Sequence, residues 1–319
     1  MKKVIIDDAI PYIKGVLEPW FEVEYMPGEK ISPETLGDAE ALIIRTRTKC
    51  RAALLNGSKV KFIATATIGT DHIDIPYCES HGIKAVNAPG CNSNGVMKYV
   101  FSALHTLADE NGFSLQGKTL GIVGVGHVGS KIAAQGRLEG LRVLENDPPR
   151  EVAEGITLTP LDTLLEESDI VTIHIPLEDN EGFAGEEFFS KIKPGAIFIN
   201  ASRGEVVNDR YLLQAREKLS HIVIDVFNHE PEISREVIAA ADIVTPHIAG
   251  YTKQGKINGT KASVRAIGEF YNIDELKAFD IEFYEPPFEP GQYDIRQDDA
   301  ALRAHPEDFE KLRKQYKLR

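Results

Sequence analysis

Gly121-Ile-Val-Gly124-Val-Gly126-His127-Val128-Gly129 is followed, one apolar run later, by Arg142-Val-Leu-Glu-Asn-Asp147. Residues 119–125 read as a buried strand, the glycines as a tight turn, 130–139 as a helix and 142–147 as the next strand. A dinucleotide site needs this order for physical reasons. Gly124 permits the sharp turn, Gly126 lets a pyrophosphate approach the backbone, and Gly129 lets the helix pack closely on the strand, with His127 and Val128 counted in the same loop. The helix N-terminus then offers free N–H groups and a positive dipole end to the phosphates. Asp147 lies 18 residues beyond Gly129, close to the roughly 20 expected of an acid that binds the ribose hydroxyls. A carboxylate there accepts from a 2′-hydroxyl and repels a 2′-phosphate, which favours NAD over NADP. Arg150 keeps the phosphorylated cofactor open as an alternative.

The bulk properties narrow the class. At 319 residues the chain has room for two cores. Its 42% hydrophobic and 27% charged content is that of an ordinary globular protein. A formal charge of −13 argues against nucleic acid or an anionic membrane as the main partner. Cys50, Cys78 and Cys91 show no metal-type spacing and read as free thiols of a reducing cytoplasm. The N-terminus turns acidic after three apolar residues, as a strand would and a signal peptide would not. No apolar run reaches the roughly 18 residues of a membrane span.

Outward from the glycine loop, short apolar strands alternate with helical patterns in both directions. Strands are expected at 4–7, 21–25, 41–44, 62–65 and 84–86 before the loop, and at 169–174, 196–200, 221–225 and 242–245 after it. Long helices are expected at 94–111 and 252–271. The expected fold is α/β: two Rossmann-like or flavodoxin-like, doubly wound parallel-sheet lobes with a cleft between them. Residues 1–92 and 253–275 would form a substrate-binding domain and 93–252 the NAD-binding domain. The tail 276–319 would be a separate C-terminal segment, equally readable from spacing as a solvated extension or an oligomerisation arm.

Three residues that follow strand ends could carry chemistry, since ligands of α/β sheets bind there. Arg203 could clamp a carboxylate through two parallel hydrogen bonds. His247 could take a hydroxyl proton, and Glu230 beside it could orient the imidazole and raise its basicity. Together, in this order behind a cofactor loop, they suit oxidation of a hydroxy acid. Arg45-Thr46-Arg47 directly after a strand places guanidinium and hydroxyl groups together, as a phosphate dianion would require, and Arg45 or Arg47 is the candidate ligand. The remaining histidines lack ligand spacing, and no metal is expected.

Gly124-Val-Gly-His-Val-Gly129, Asn200-Ala-Ser-Arg-Gly-Glu-Val-Val207, Asp225-Val-Phe-Asn-His-Glu-Pro231 and Pro246-His247 occur in the order of the D-isomer-specific 2-hydroxyacid dehydrogenases, which the chain resembles over nearly its whole length. Thr65-Ala-Thr-Ile-Gly-Thr-Asp-His72, Ala88-Pro-Gly-Cys-Asn92, Thr245-Pro-His-Ile-Ala-Gly-Tyr251 and Tyr293-Asp-Ile-Arg-Gln-Asp-Asp-Ala-Ala-Leu-Arg303 mark a narrower subgroup that acts on a small phosphorylated 2-hydroxy acid. The resemblance implies catalytic roles for Arg203, Glu230 and His247, the last accepting the proton. It places Thr46, Thr67 and Tyr251 near substrate, and Asp147, Ile175, Ala201, Ser202, Arg203, Asp225 and Gly250 around NAD. It also makes the tail a homodimerisation segment. Two departures qualify the match: residues 177–187 are shorter than the pattern, and the tail is abbreviated, so its dimer contacts are expected to differ. Rival expectations are a relative acting on 3-phosphoglycerate or on glyoxylate and hydroxypyruvate, and an NAD-sensing scaffold.

Overall fold

Strands β1 (Lys2–Asp7), β2 (Phe21–Met26), β3 (Ala41–Ile44), β4 (Phe62–Thr65) and β5 (Lys84–Val86) form one sheet in the computed structural model, which describes residues 1–318. Its order is β2-β1-β3-β4-β5, and every pairing is parallel. β3 and β4 are buried at every position, so their apolar runs are continuous rather than alternating, as a sheet covered on both faces requires. The long helix Lys253–Tyr271 belongs to this unit. Its Val264 and Ile267 join Ile6, Ile43 and Phe62 in one core.

A second sheet contains β6 (Thr119–Val123), β7 (Arg142–Asn146), β8 (Ile170–Ile173), β9 (Ile197–Asn200), β10 (His221–Ile224) and β11 (Ile243–Val244). The order is β11-β10-β9-β8-β6-β7, again wholly parallel. Sequence neighbours β6 and β7 lie to one side, whereas β8 pairs with the other edge of β6. The order therefore reverses at β6, and the crevice beyond the strand ends at such a reversal is where open α/β sheets bind ligands. The helix His127–Leu138 leaves the glycine loop there.

The chain divides into two compact units, residues 1–92 with 252–286 and residues 93–251 with 287–319. Residues 276–286 thus stay with the first unit, and 287–318 pack on the second instead of standing apart. Arg319, the end of the expected C-terminal segment, lies outside the described residues. The physical reason is apolar and polar at once. Leu302 and Phe309, from the tail helices Ile295–Ala304 and Phe309–Gln315, are fully buried in the core of the second unit. Asp299 Oδ1 accepts from the Val244 N–H of edge strand β11 at 2.8 Å. Arg303 donates to the carbonyls of Ile238 and Ala241 at 2.6 and 2.7 Å, satisfying the end of the Arg235–Ala240 helix. Arg296 donates to the Asp242 carbonyl at 2.6 Å and to both oxygens of Glu110. The Arg-Gln-Asp-Asp-Ala segment therefore seals a sheet edge that would otherwise expose unpaired backbone.

Leu302→Ala should lower the stability of the second unit by about 2–5 kcal/mol, the usual cost of truncating a buried leucine. Urea denaturation followed by far-UV circular dichroism reads this directly. An unchanged midpoint would mean that the tail is a solvated arm.

Candidate active site

The glycine loop has the shape a dinucleotide needs. Gly124 adopts φ +87°, and a Cβ there would lie 2.6 Å from the His174 carbonyl oxygen and 2.8 Å from Ile175 Cγ2. A Cβ on Gly129 would meet the Gly124 carbonyl oxygen, whereas one on Gly126 would meet nothing within 4 Å. Gly124 and Gly129 are thus required by internal close approach, and Gly126 keeps an open face at the N-cap of the His127–Leu138 helix. His127 is exposed and Val128 half-buried beside it. Asp147 caps the Pro148–Glu154 helix. Its carboxylate accepts from Arg150 N–H at 3.0 Å and from Val125 N–H, inside the loop, at 2.8 Å. Arg150 is engaged by Glu154 at 2.8 Å, and its charge is countered there. The donors and the open backbone fit NAD.

The strand ends of the same sheet gather the candidate chemistry. Asn200, at the end of β9, ties the next turn together. Its side-chain oxygen accepts from the N–H and hydroxyl of Ser202 at 3.1 and 2.9 Å, and its amide donates to the Arg203 carbonyl at 2.8 Å. Ala201, Ser202 and Arg203 are half-buried on that turn. Gly204 presses it against the loop after β10: a Cβ there would lie 1.9 Å from the Phe227 carbonyl carbon and 2.4 Å from Asn228 N. The loop that carries Arg203 and the loop that carries Glu230 are therefore locked backbone to backbone.

Asp225 organises the third piece. Its buried carboxylate accepts from the Thr245 hydroxyl at 2.6 Å and from the Ile248 and Ala249 N–H groups at 2.8 and 2.9 Å. The Asp225 carbonyl accepts from His247 N–H at 2.7 Å. Because Thr245 donates to Asp225, the buried Tyr99 hydroxyl donates in turn to Thr245 Oγ1, at 2.6 Å. Burial pushes the Asp225 carboxyl up, against the opposing pull of His247 and of these donors. The turn so held keeps His247 at φ +55°, a left-handed backbone that costs a non-glycine residue on the order of 1 kcal/mol or more. Gly250 follows, half-buried, and Tyr251 N–H returns to the Ile248 carbonyl at 2.8 Å.

This backbone aims His247 Nδ1 at Glu230 Oε2, 2.8 Å away. Glu230 Oε1 accepts from Phe227 N–H at 3.0 Å. Burial pushes the Glu230 carboxyl up, but His247, the Phe227 N–H and Arg313 outweigh it and hold the group below the usual carboxylate value. A carboxylate can only accept, so the Nδ1 proton belongs to this bond and the Nε2 lone pair is left for a substrate proton.

In the first unit the phosphate candidates separate. Arg45 is locked to the fully buried Asp7 through Nε–Oδ2 and Nη2–Oδ1 contacts of 3.0 and 3.1 Å. Its charge is already matched there, and Arg47 is half-buried on the same loop beside exposed Thr46. Thr67 Oγ1 lies 2.7 Å from Thr65 Oγ1, which His72 Nε2 approaches at 3.1 Å. Sequence reasoning missed Tyr99 and Thr245 as supports of the histidine turn, and it read Asp225 only as a cofactor contact. Tyr99 sits on the apolar face of its helix, and nothing local marks it. Among the described residues there is no cluster of three or more potential metal ligands, and no helix is long and apolar enough to cross a membrane.

A glycine loop at the sheet reversal, with a histidine–carboxylate pair and an arginine beyond its other strands, defines an NAD-dependent dehydrogenase. Residues 97–249 match the model of the D-isomer specific 2-hydroxyacid dehydrogenase NAD-binding domain. The chain is similar to an erythronate-4-phosphate dehydrogenase of Bacteroides fragilis, 46% identical over 99% of this chain and 96% of the relative. It is similar to one of Escherichia coli at 40% identity over 98% and 90%. Among solved structures it resembles the NAD-bound 3-phosphoglycerate dehydrogenase of Entamoeba histolytica, with TM-score 0.70 and 25% identity over 89% of this chain and 99% of the other. The chain belongs to the erythronate-4-phosphate dehydrogenase family within the D-isomer-specific 2-hydroxyacid dehydrogenases.

Gly204→Ala tests the locking of the two loops. The added methyl must displace the Phe227 carbonyl, and misplacement on that scale is expected to lower kcat/KM about 100-fold while circular dichroism stays unchanged. Activity within threefold of the parent would show that the Arg203 and Glu230 loops need not be locked.

Proposed function

We propose that this protein oxidises the C2 hydroxyl of 4-phospho-D-erythronate to give 3-hydroxy-2-oxo-4-phosphobutanoate, a step toward pyridoxal 5′-phosphate (vitamin B6). The observation that carries the reading is the 2.8 Å His247–Glu230 contact on a turn held by Asp225, in a chain 46% identical to a relative of that name. When bound, NAD supplies the oxidising power by taking the hydride from C2.

The protein's own groups do the rest. His247 Nε2 takes the hydroxyl proton as the C2–O bond becomes a carbonyl, and the Glu230 carboxylate stabilises the imidazolium that results. Arg203 holds the substrate carboxylate in the orientation this transfer requires. Ala201, Ser202, Ile175 and Gly250 join the glycine loop and Asp147 as the cofactor's surroundings, with Asp225 acting mainly by holding the histidine turn. Arg47 takes the phosphate, with Thr46, Thr67 and Tyr251 beside the rest of the acid. In this reading residues 1–92 and 253–275 form the substrate-binding domain and 93–252 the NAD-binding domain. The tail resemblance supports a homodimer built on 276–319, and the free thiols support a cytoplasmic setting. Sedimentation velocity over a range of protein concentrations tests the dimer, and a strictly monomeric species would remove it.

The decisive comparison is NADH formation with 4-phospho-D-erythronate, 3-phospho-D-glycerate and D-glycerate, with a 2-oxo acid added to reoxidise retained NADH. The four-carbon phosphate should be preferred. Arg47→Ala should raise its KM about tenfold or more, the loss of one charge-assisted hydrogen bond. His247→Gln should abolish most of the turnover. Glu230 keeps its charge below the usual carboxylate range, and an imidazole accepts a proton only while neutral, so oxidation should fail on the acid side first. Preference for another acid would discard the substrate, and tight NAD binding without any turnover would point to a sensing scaffold.

A further inference from the structure

Thr65 ends β4, Thr67 and His72 follow on the loop after it, and the polar atoms of the three form a line. His72 Nε2 is 3.1 Å from Thr65 Oγ1, Thr65 Oγ1 is 2.7 Å from Thr67 Oγ1, and Thr67 Oγ1 donates to the Gly69 carbonyl at 3.3 Å. Thr65 is fully buried and His72 is 2% exposed, whereas Thr67 is half-buried. The backbone beneath them is pinned from several sides. Ala66 N–H donates to the Ile44 carbonyl at 2.9 Å, Ala88 N–H to the Thr67 carbonyl at 3.0 Å, and the Asn87 amide to the Ile68 carbonyl at 2.6 Å. Cys50 N–H donates to the His72 carbonyl at 2.8 Å. Gly259 of the helix Lys253–Tyr271 presses on the same loop, since a Cβ there would lie 2.5 Å from the Ala66 carbonyl oxygen. With the backbone fixed, what remains to be set is the direction of the hydroxyl protons.

A hydroxyl has one proton and two lone pairs, and a carbonyl can only accept. The Thr67 proton goes to Gly69, so Thr65 must donate to Thr67. Thr65 then has only a lone pair to offer His72, whose Nε2 carries the proton. Thr67 Oγ1 ends the line with a second lone pair that no donor reaches among the described residues. We propose that Thr67 is a specificity-determining residue that accepts a hydrogen bond from a substrate hydroxyl, with Thr65 and His72 as the positioning residues that hold it in that state. The proposal rests on the reading given above, in which Thr67 lies beside the acid. A carboxylate or phosphate oxygen without a proton would meet that lone pair with one of its own and be repelled. In 4-phospho-D-erythronate the carboxylate goes to Arg203, the phosphate to Arg47, and the C2 hydroxyl gives its proton to His247. The C3 hydroxyl is the donor that remains. In 3-phospho-D-glycerate the C3 oxygen carries the phosphate and has no proton to give. The line of three side chains thus selects for a free hydroxyl at C3.

The test compares 4-phospho-D-erythronate with its 3-deoxy counterpart, D-2-hydroxy-4-phosphobutanoate. Each is titrated calorimetrically in the presence of NADH, where no oxidation occurs, and each is assayed for kcat/KM with NAD. The parent should prefer the C3-hydroxylated acid about ten- to a hundredfold, the effect of one hydrogen bond to a site built for it. Thr67→Val removes the acceptor at nearly constant shape and should bring the two acids to within about threefold of each other. Thr65→Val frees the Thr67 proton and should give an intermediate ratio, which Thr65→Ser restores. A merely structural loss would weaken both acids alike and leave the ratio unmoved. Nitrogen-15 NMR of His72 in alkaline buffer, assigned with His72→Gln, should show the Nε2–H tautomer. A Thr67→Val variant that keeps the parent ratio, or an Nδ1–H tautomer at His72, would overturn the proposal. Titration and tautomer need no turnover, so a parent that binds with this selectivity yet forms no NADH would refute the oxidation reading while upholding the role of Thr67.

Discussion

The active geometry depends on a buried carboxylate with no access to water. Asp225 is 1% exposed, and its side chain collects a hydroxyl and two backbone N–H groups from residues 245–249. An unpaired carboxylate at that depth would cost several kcal/mol, so the turn must fold onto it or the strand end cannot stay dry. The consequence is a backbone that carries His247 in the left-handed region and points its ring at Glu230. The strain at one residue is offset by the satisfaction of an acid that the fold has already buried. Tyr99 extends the network by donating to Thr245, which joins the turn to the interior of a long helix.

The same economy governs the C-terminal segment. Asp299, Arg296 and Arg303 spend their polar groups on backbone that the end of the sheet leaves unpaired, and Leu302 and Phe309 fill the core beneath. This anchoring sets the direction of the last helix, whose Arg313 lies 5.5 Å from the centre of the Tyr251 ring.

Much of the architecture was legible from the chain. The strands at 41–44, 62–65 and 84–86 match the observed ones residue for residue, because continuous apolar runs bounded by turn residues admit few other readings. The glycine turn, an acid at Asp147 and a histidine with a carboxylate beside it were also readable, since each signal is local and chemically distinctive, and the structure has the tight turn, the Asp147–Val125 bond and the His247–Glu230 contact. What escaped was pairing between distant positions. Asp7 lies 38 residues before Arg45, and nothing near either announces that one neutralises the other. Tyr99 and Thr245 are 146 residues apart. The tail, rich in charge, read as a solvated extension or an oligomerisation arm, and its packing on the second unit was not legible because its arginines reach carbonyls that only the folded sheet presents. Asp225 was recognised as important at a strand end, but its principal partners come from a turn 20 or more residues later.

The central claim is that His247 presents an unprotonated Nε2 because Glu230 retains the proton on Nδ1. Nitrogen-15 NMR of ring-labelled protein in alkaline buffer, where the imidazoles are neutral, reads that arrangement directly, with His247→Gln assigning the resonance. The account predicts the Nδ1–H tautomer in the parent and its loss of dominance in Glu230→Gln, whose amide can also donate. A parent spectrum showing the Nε2–H tautomer would contradict it, since the ring nitrogen meant to accept the substrate proton would already carry one.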